Sequence, residues 1–221
     1  MTATLIVLAL IMGGLVFWLI RQTINVQPWA EEGPVGQDHA GGAYSVPAAK
    51  IGLIVFLGVA TSLFSLFASA YFQRMEFGDW RPVAEPGVLW FNTALLVLGS
   101  VFFQRARNAA VRSQANGVKI NLLIAGMLTF AFIGGQLWAW KGLQEAGHFL
   151  SGNPANSFFY VLTAIHALHI LGGLWVWSQT IFKLQNKVEV YKVRTSVELC
   201  TIYWHFLLLV WVGLFALLLS T

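Results

Sequence analysis

Charge is what this sequence most lacks: Asp, Glu, Lys and Arg make up 10% of its 221 residues, where a soluble domain carries about 25%. That is too little to coat a water-facing surface. Cysteine is scarcer still. The one thiol, Cys200, lies in an apolar run, so an intrachain disulfide framework and a cysteine metal cluster are both excluded, and the side chain reads as a small packing residue. The sequence has no Gly-rich phosphate loop, no nucleophile arrangement, and no repeat of comparable halves such as transporters show. What is abundant is apolar: 57% hydrophobic residues and a mean hydropathy of +0.70. The solvent that suits most of this chain is lipid.

Crossing a bilayer takes roughly 20 apolar residues. Six runs approach that length, at 5–20, 51–72, 88–103, 120–140, 158–182 and 197–219. The first and third are short, so tilt or snorkelling arginines are expected to compensate. Breaks are expected at Pro28, Pro34 and Pro47, at Pro82 and Pro86, at Asn116-Gly117, and at 152–154. Lipid offers backbone groups no partners, which leaves helices as the plausible spans. The expected fold is therefore all-α, an integral membrane bundle of about six transmembrane helices. A first helix is expected at 1–21, a Gly- and Pro-rich linker at 22–49 and a five-helix bundle at 50–221. The opening run is read as a span and not a signal peptide, because residues 1–4 carry no Lys or Arg and no clear small-residue cleavage site closes it.

Basic residues then orient the chain. Ten of the 13 fall in alternate connections: Arg21 and Lys50; Arg105, Arg107, Arg112 and Lys119; Lys183, Lys187, Lys192 and Arg194. The positive-inside rule places these three loops in the cytoplasm and both termini on the opposite, periplasmic side. The net charge of +4 is thus explained by membrane orientation, and nucleic acid is not an expected partner.

Ionisable groups within spans need an account. His166 and His169 share a helical face with Tyr160, Thr163 and Gly173, and Glu198, Thr201, His205 and Leu208 share another. Both stripes are expected to point into the bundle. Haem or metal ligation is the sharper reading of His166, His169 and His205. Interhelical hydrogen bonding, worth about 0.6–2 kcal/mol per link, is the plainer one and is adopted here. The expectation is that Glu198 and His205 form a network with His166 or His169. Among the 10 Trp residues, Trp80, Trp90, Trp138, Trp140 and Trp204 fit an interfacial belt, while Trp175, Trp177 and Trp211 lie deeper and face either lipid or a partner.

These residues carry a likeness. Ser157, Phe159, Thr163, His166 and His169, followed by Gly172-Gly173, resemble the penultimate helix of cytochrome oxidase subunit III. Glu198, Tyr203-Trp204-His205-Phe206 and Trp211 resemble its last helix, and Asn92-Thr93 the Asn-Thr pair of the family's fourth helix. Arg74 and the acidic, Pro-containing stretch 78–86 also fit. The likeness spans about 50–221 and is strongest after Ser157.

The full-length family form has one helix more than this chain, and carboxylates found there are replaced by Ala60, Ala139 and Leu208. The resemblance implies a subunit without a redox cofactor of its own. Haem and copper are expected in oxidase subunits I and II, its partners, with phospholipid held against it. The shortened form points to a bacterial plasma membrane. Arg105, Arg107 and Arg112 are expected to meet lipid headgroups, at about 1 kcal/mol each. The electron donor, cytochrome c or quinol, and the haem type belong to other subunits.

Overall fold

The computed structural model describes residues 48–83, 87–186 and 190–220, so the expected first helix at 1–21 and nearly all of the 22–49 linker lie outside the described residues. Five helices follow: α1 Ala48–Met75, α2 Val88–Val111, α3 Ala115–Glu145, α4 Pro154–Gln185 and α5 Val190–Leu219. No strand occurs among the described residues. All five are long and apolar enough to cross a membrane.

The helices outrun the apolar runs that announced them. The run 88–103 looked short, but α2 continues to Val111, carrying Arg105 and Arg107 as helical residues. Lys119, Lys183 and Arg194 also sit on helices, and α1 already begins within the last residues assigned to the linker. Hydropathy sees only the part of a helix in hydrocarbon, whereas polar end turns keep their backbone bonds in the headgroup region. Asn116-Gly117 does not break the chain; it lies in the first turn of α3. The reversal falls one turn earlier, where Ser113 takes the left-handed conformation at φ 56 and the Ser113 and Gln114 amides donate to Ala110 and Ala109 carbonyls at 3.1 and 3.0 Å. Gly147, at φ 83, follows α3. α4 opens on Asn153, whose side chain accepts from the Ala155 amide, with Pro154 in the first turn.

Successive helices run antiparallel, as do α2 and α5, whereas α1 and α5 run parallel. On α2 and α5, Phe103 meets Trp204 and Trp90 meets Phe215, with ring centroids 4.2 and 4.8 Å apart. α1 packs on α4 and α5, with Phe56 near His169 and Tyr203 and Phe64 near His166. The far end of α1 is pinned through Tyr71, whose ring lies 4.9 Å from Trp80 and 5.4 Å from Phe158. Much of α1 nevertheless remains uncovered: Ile54, Val55, Val59 and Leu66 are all exposed. With alternating directions, Lys50, Arg105, Arg107, Arg112, Lys119, Lys183 and Arg194 gather at one end of the bundle. Arg74, Arg81 and Lys141 take the other. The charge asymmetry of the loops is thus an asymmetry of the folded helix ends.

Candidate functional site

The centre of the bundle is an aromatic box around His166. Trp211 of α5 lies 5.2 Å away, ring to ring, with Phe132 of α3 at 6.1 Å and Phe64 of α1 at 6.4 Å. His166 is wholly buried, and neither ring nitrogen has a hydrogen-bond partner. Among the described residues, no group of three His, Cys, Asp or Glu is placed to hold a metal.

Around this box, indole N–H groups reach from helix to helix. Trp211 Nε1 donates to Thr93 Oγ1 on α2 at 2.9 Å, and Trp204 Nε1 to Thr129 Oγ1 on α3 at 3.2 Å. Trp140 Nε1 donates to Thr163 Oγ1 at 3.0 Å, and Trp177 Nε1 to the Leu122 carbonyl at 2.8 Å. Thr201 donates to the Phe103 carbonyl at 3.1 Å and Tyr203 to the His169 carbonyl at 2.8 Å. Asn92 Nδ2 donates to Gln136 Oε1 at 3.4 Å, both side chains buried. In lipid such links are worth about 0.6–2 kcal/mol each, because the separated groups have few other partners. Glycine gives these rings room. A Cβ at Gly126 would run into the Trp177 indole, one at Gly135 into the Asn92 amide, and one at Gly173 would sit 2.6 Å from Tyr203.

The expected network of Glu198, His205, His166 and His169 is not formed. His169 Nδ1 lies 2.8 Å from the Ile165 carbonyl and His205 Nδ1 2.7 Å from the Thr201 carbonyl, each within its own helix. His205 is exposed, so the α5 stripe does not turn wholly inward. A helical face is a broad arc: Thr201 falls on its buried side and His205 on its outer side. Glu198 instead joins Arg107 of α2 at 3.2 Å and Lys50 of α1 at 4.0 Å. His166 and His169, three residues apart on α4, both lie near the Phe64 ring.

Of the three headgroup candidates, Arg107 is thus engaged by Glu198. Arg105 and Arg112 are exposed, with the Arg105 guanidinium 5.4 Å from the Phe102 ring centre. Ala60 and Ala139, where the resemblance called for carboxylates, are each 2% exposed, and Leu208 is half-buried. Ala60 lies one turn from both Phe56 and Phe64, on the α1 face that meets the two histidines.

Sequence reasoning missed the roles of Thr129, Thr93 and Lys50. The available signal was an excess of mid-span Trp, since a buried indole needs an acceptor. The deep tryptophans separate cleanly: Trp211 is buried, Trp177 is half-buried and bonded, and Trp175 is 69% exposed. Trp204, assigned to the belt, is a core residue.

Two openings flank α1. One, about 480 Å³, lies between α1 and α5 and is lined by Thr61, Ser65, Gly213 and Ala216 among others. The other, about 320 Å³, lies where α1, α4 and α5 meet, against Phe56, Gly173 and Cys200.

Residues 4–220 match the family "Cytochrome c oxidase subunit III". Curated relatives agree. A probable cytochrome c oxidase subunit 3 of Nocardia farcinica is 29% identical over 76% of this chain and 85% of its own length. The cytochrome c oxidase subunit 3 of Corynebacterium diphtheriae is 30% identical over 75% and 84%, and that of Synechocystis 29% identical over 75% and 72%.

Proposed function

Because this chain belongs to the cytochrome c oxidase subunit III family and is a membrane subunit of a terminal oxidase complex, we propose that it is a cofactor-free scaffold. It packs beside the haem- and copper-bearing subunits I and II and stabilises them without catalysing a reaction alone. The observation that carries this reading is how the polar groups of the core are used. Indoles, hydroxyls and amides join α2, α3, α4 and α5 to one another, and the fully buried imidazole of His166 is walled by aromatic rings. Such a core holds a shape, and its polar groups are spent on links between helices.

The rest follows from charge. The end carrying Lys50, Arg107 and Lys119 faces the cytoplasm by the positive-inside rule, and the chain termini lie on the periplasmic side of a bacterial plasma membrane. Arg105 and Arg112, both exposed at that end, meet anionic phospholipid headgroups, at about 1 kcal/mol each. Arg107 contributes less, since Glu198 offsets its charge.

The test is purification through a tag on this chain in mild detergent, followed by a reduced-minus-oxidised spectrum and identification of the accompanying proteins. Haem bands arriving with two larger membrane subunits support the reading. A chain that purifies alone and colourless refutes it, and a chain that is coloured alone refutes the cofactor-free assignment.

A further inference from the structure

α1 is held to the bundle unevenly along its length. In its second half Ala60, Phe64 and Tyr71 are buried. Phe64 packs on His169 at 5.3 Å, ring to ring, and Tyr71 sits between Trp80 and Phe158. The turn beyond is tied down by the Arg74–Asp79 pair and by Arg81 and Asn153, which exchange backbone-to-side-chain hydrogen bonds. The first half has no such anchorage, for no residue of 49–59 is buried. Between it and the bundle is the opening of about 320 Å³, walled by Leu53 and Phe56 on one side and by Gly172, Val176, Leu199 and Tyr203 on the other. The Phe56 ring lies 6.0 Å from those of His169 and Tyr203, centre to centre. At the basic end, Lys50 Nζ stands 4.0 Å from Glu198, whose carboxylate has a nearer partner in Arg107 at 3.2 Å.

The two halves meet at a weak turn of helix. Gly58 lies there, and among residue types only proline favours a helix interior less than glycine. Thr61 Oγ1 donates to the Leu57 carbonyl at 2.7 Å, and Ser62 Oγ to the Gly58 carbonyl at 3.0 Å. Such hydroxyls share the acceptors of the backbone ladder and ease bending. Glycine and serine together mark the places where long helices kink. Among the described side chains of α1, burial begins at Ala60, two residues after Gly58. The change from loose to firm packing therefore coincides with the turn best able to bend.

We propose that residues 48–57 of α1 form a hinged lid over the 320 Å³ opening, turning about Gly58 and latched to α5 by the Lys50–Glu198 pair. The structure described above is its closed form. As the lid swings away, Phe56 leaves the His169 and Tyr203 rings and the opening joins the surrounding hydrocarbon, while residues 60–75 stay in place. The movement breaks one partly exposed ion pair. Lipid tails, as apolar as the side chains they replace, take up the contacts that are lost. The lid thus belongs to the least stable part of the described bundle.

The experiment uses the whole complex in lipid nanodiscs, with nitroxide-labelled p-acetylphenylalanine at two positions and the distance between them read by pulsed dipolar spectroscopy. One pair, Ile51 with Trp175, spans the lid and α4. The other, Leu66 with Leu137, joins the packed half of α1 to α3, and all four positions are exposed. A second, longer distance population is expected from the first pair and a single narrow one from the other. Gly58→Ala, whose methyl meets nothing within 4 Å, should shrink the longer population about threefold. Lys50→Gln should enlarge it about twofold. A single narrow population from both pairs, or equal breadth in both, would overturn the proposal. A longer population that Gly58→Ala leaves unchanged would overturn the hinge, and one indifferent to Lys50→Gln would overturn the latch.

Discussion

The Trp211 indole covers the His166 imidazole at 5.2 Å, ring to ring, while giving its N–H to Thr93 on a third helix at 2.9 Å. The tryptophan therefore packs against the histidine without satisfying it, and both imidazole nitrogens remain unpaired. A buried polar group without a partner is a net cost, and an apolar group of similar size removes that cost. His166→Leu is expected to leave the thermal midpoint of the purified complex unchanged or to raise it. A loss larger than about 1 kcal/mol, the usual scale of a made hydrogen bond, would show that His166 gains a partner in the assembled enzyme.

The Trp211–Thr93 link makes a different prediction. Thr93 Oγ1 also donates to the Leu89 carbonyl at 2.8 Å, so losing the indole leaves no hydroxyl stranded. Trp211→Phe should cost about 1 kcal/mol beyond its smaller packing loss, whereas Trp211→Ala opens a cavity and should cost about 3–5 kcal/mol. In a double-mutant cycle with Thr93→Val, the hydrogen-bond part should be non-additive. Full additivity would mean that the bond contributes nothing.

Close approach at the glycines can be tested directly. Gly126→Ala drives a methyl into the Trp177 indole and Gly173→Ala into Tyr203 and Trp204, while a Cβ at Gly134 meets nothing within 4 Å. The first two should each destabilise the chain by about 1–3 kcal/mol, and Gly134→Ala should be neutral or mildly stabilising. Comparable thermal midpoints for all three would contradict the packing described at Trp177 and Tyr203.

Hydropathy and charge made the helices after residue 47 and their basic end legible, because lipid constrains composition strongly and locally. Family likeness singled out residues that do occupy the core: Asn92, Thr163, His166, Trp204 and Trp211. The partners of those residues were not legible. Glu198 and His205 share a helical face, yet one reaches Arg107 and the other looks outward. Periodicity gives direction to within a broad arc, while the residual rotation of about 40° over four residues leaves Thr201 on the Phe103 carbonyl and His205 facing outward. The helix ends were missed for a related reason, since polar terminal turns carry no hydropathy signal.

Glu198 ties α1 and α2 to α5 through Lys50 and Arg107, but its side chain is 32% exposed and theirs 42% and 41%. At that accessibility, water and salt screen the pairing, and a contribution of about 0–1 kcal/mol is expected. Glu198→Gln should therefore lower the thermal midpoint slightly at low ionic strength, with the deficit fading as salt rises. A large deficit that ignores salt would indicate a desolvated pair in the assembled complex.

At the other end of the bundle, Arg74 closes α1 by grasping Asp79 in the following turn, Nη1 to Oδ1 at 2.7 Å and Nη2 to Oδ2 at 2.5 Å. These hydrogen bonds, and to a lesser degree the guanidinium charge, hold the Asp79 carboxyl below its ordinary value of 3.8. A carboxyl whose folded value is depressed stabilises the fold above its unfolded value and loses that contribution as pH falls through the folded value. Asp79→Asn should thus show a small, constant deficit in thermal midpoint against the parent from pH 7 down to about pH 4. Below that the two should converge as the parent's carboxylate is protonated. Exposure of the pair to solvent keeps the deficit small. A deficit that widened on acidification would reverse the sign of the linkage and show that Asp79 is destabilised, not held, by its setting.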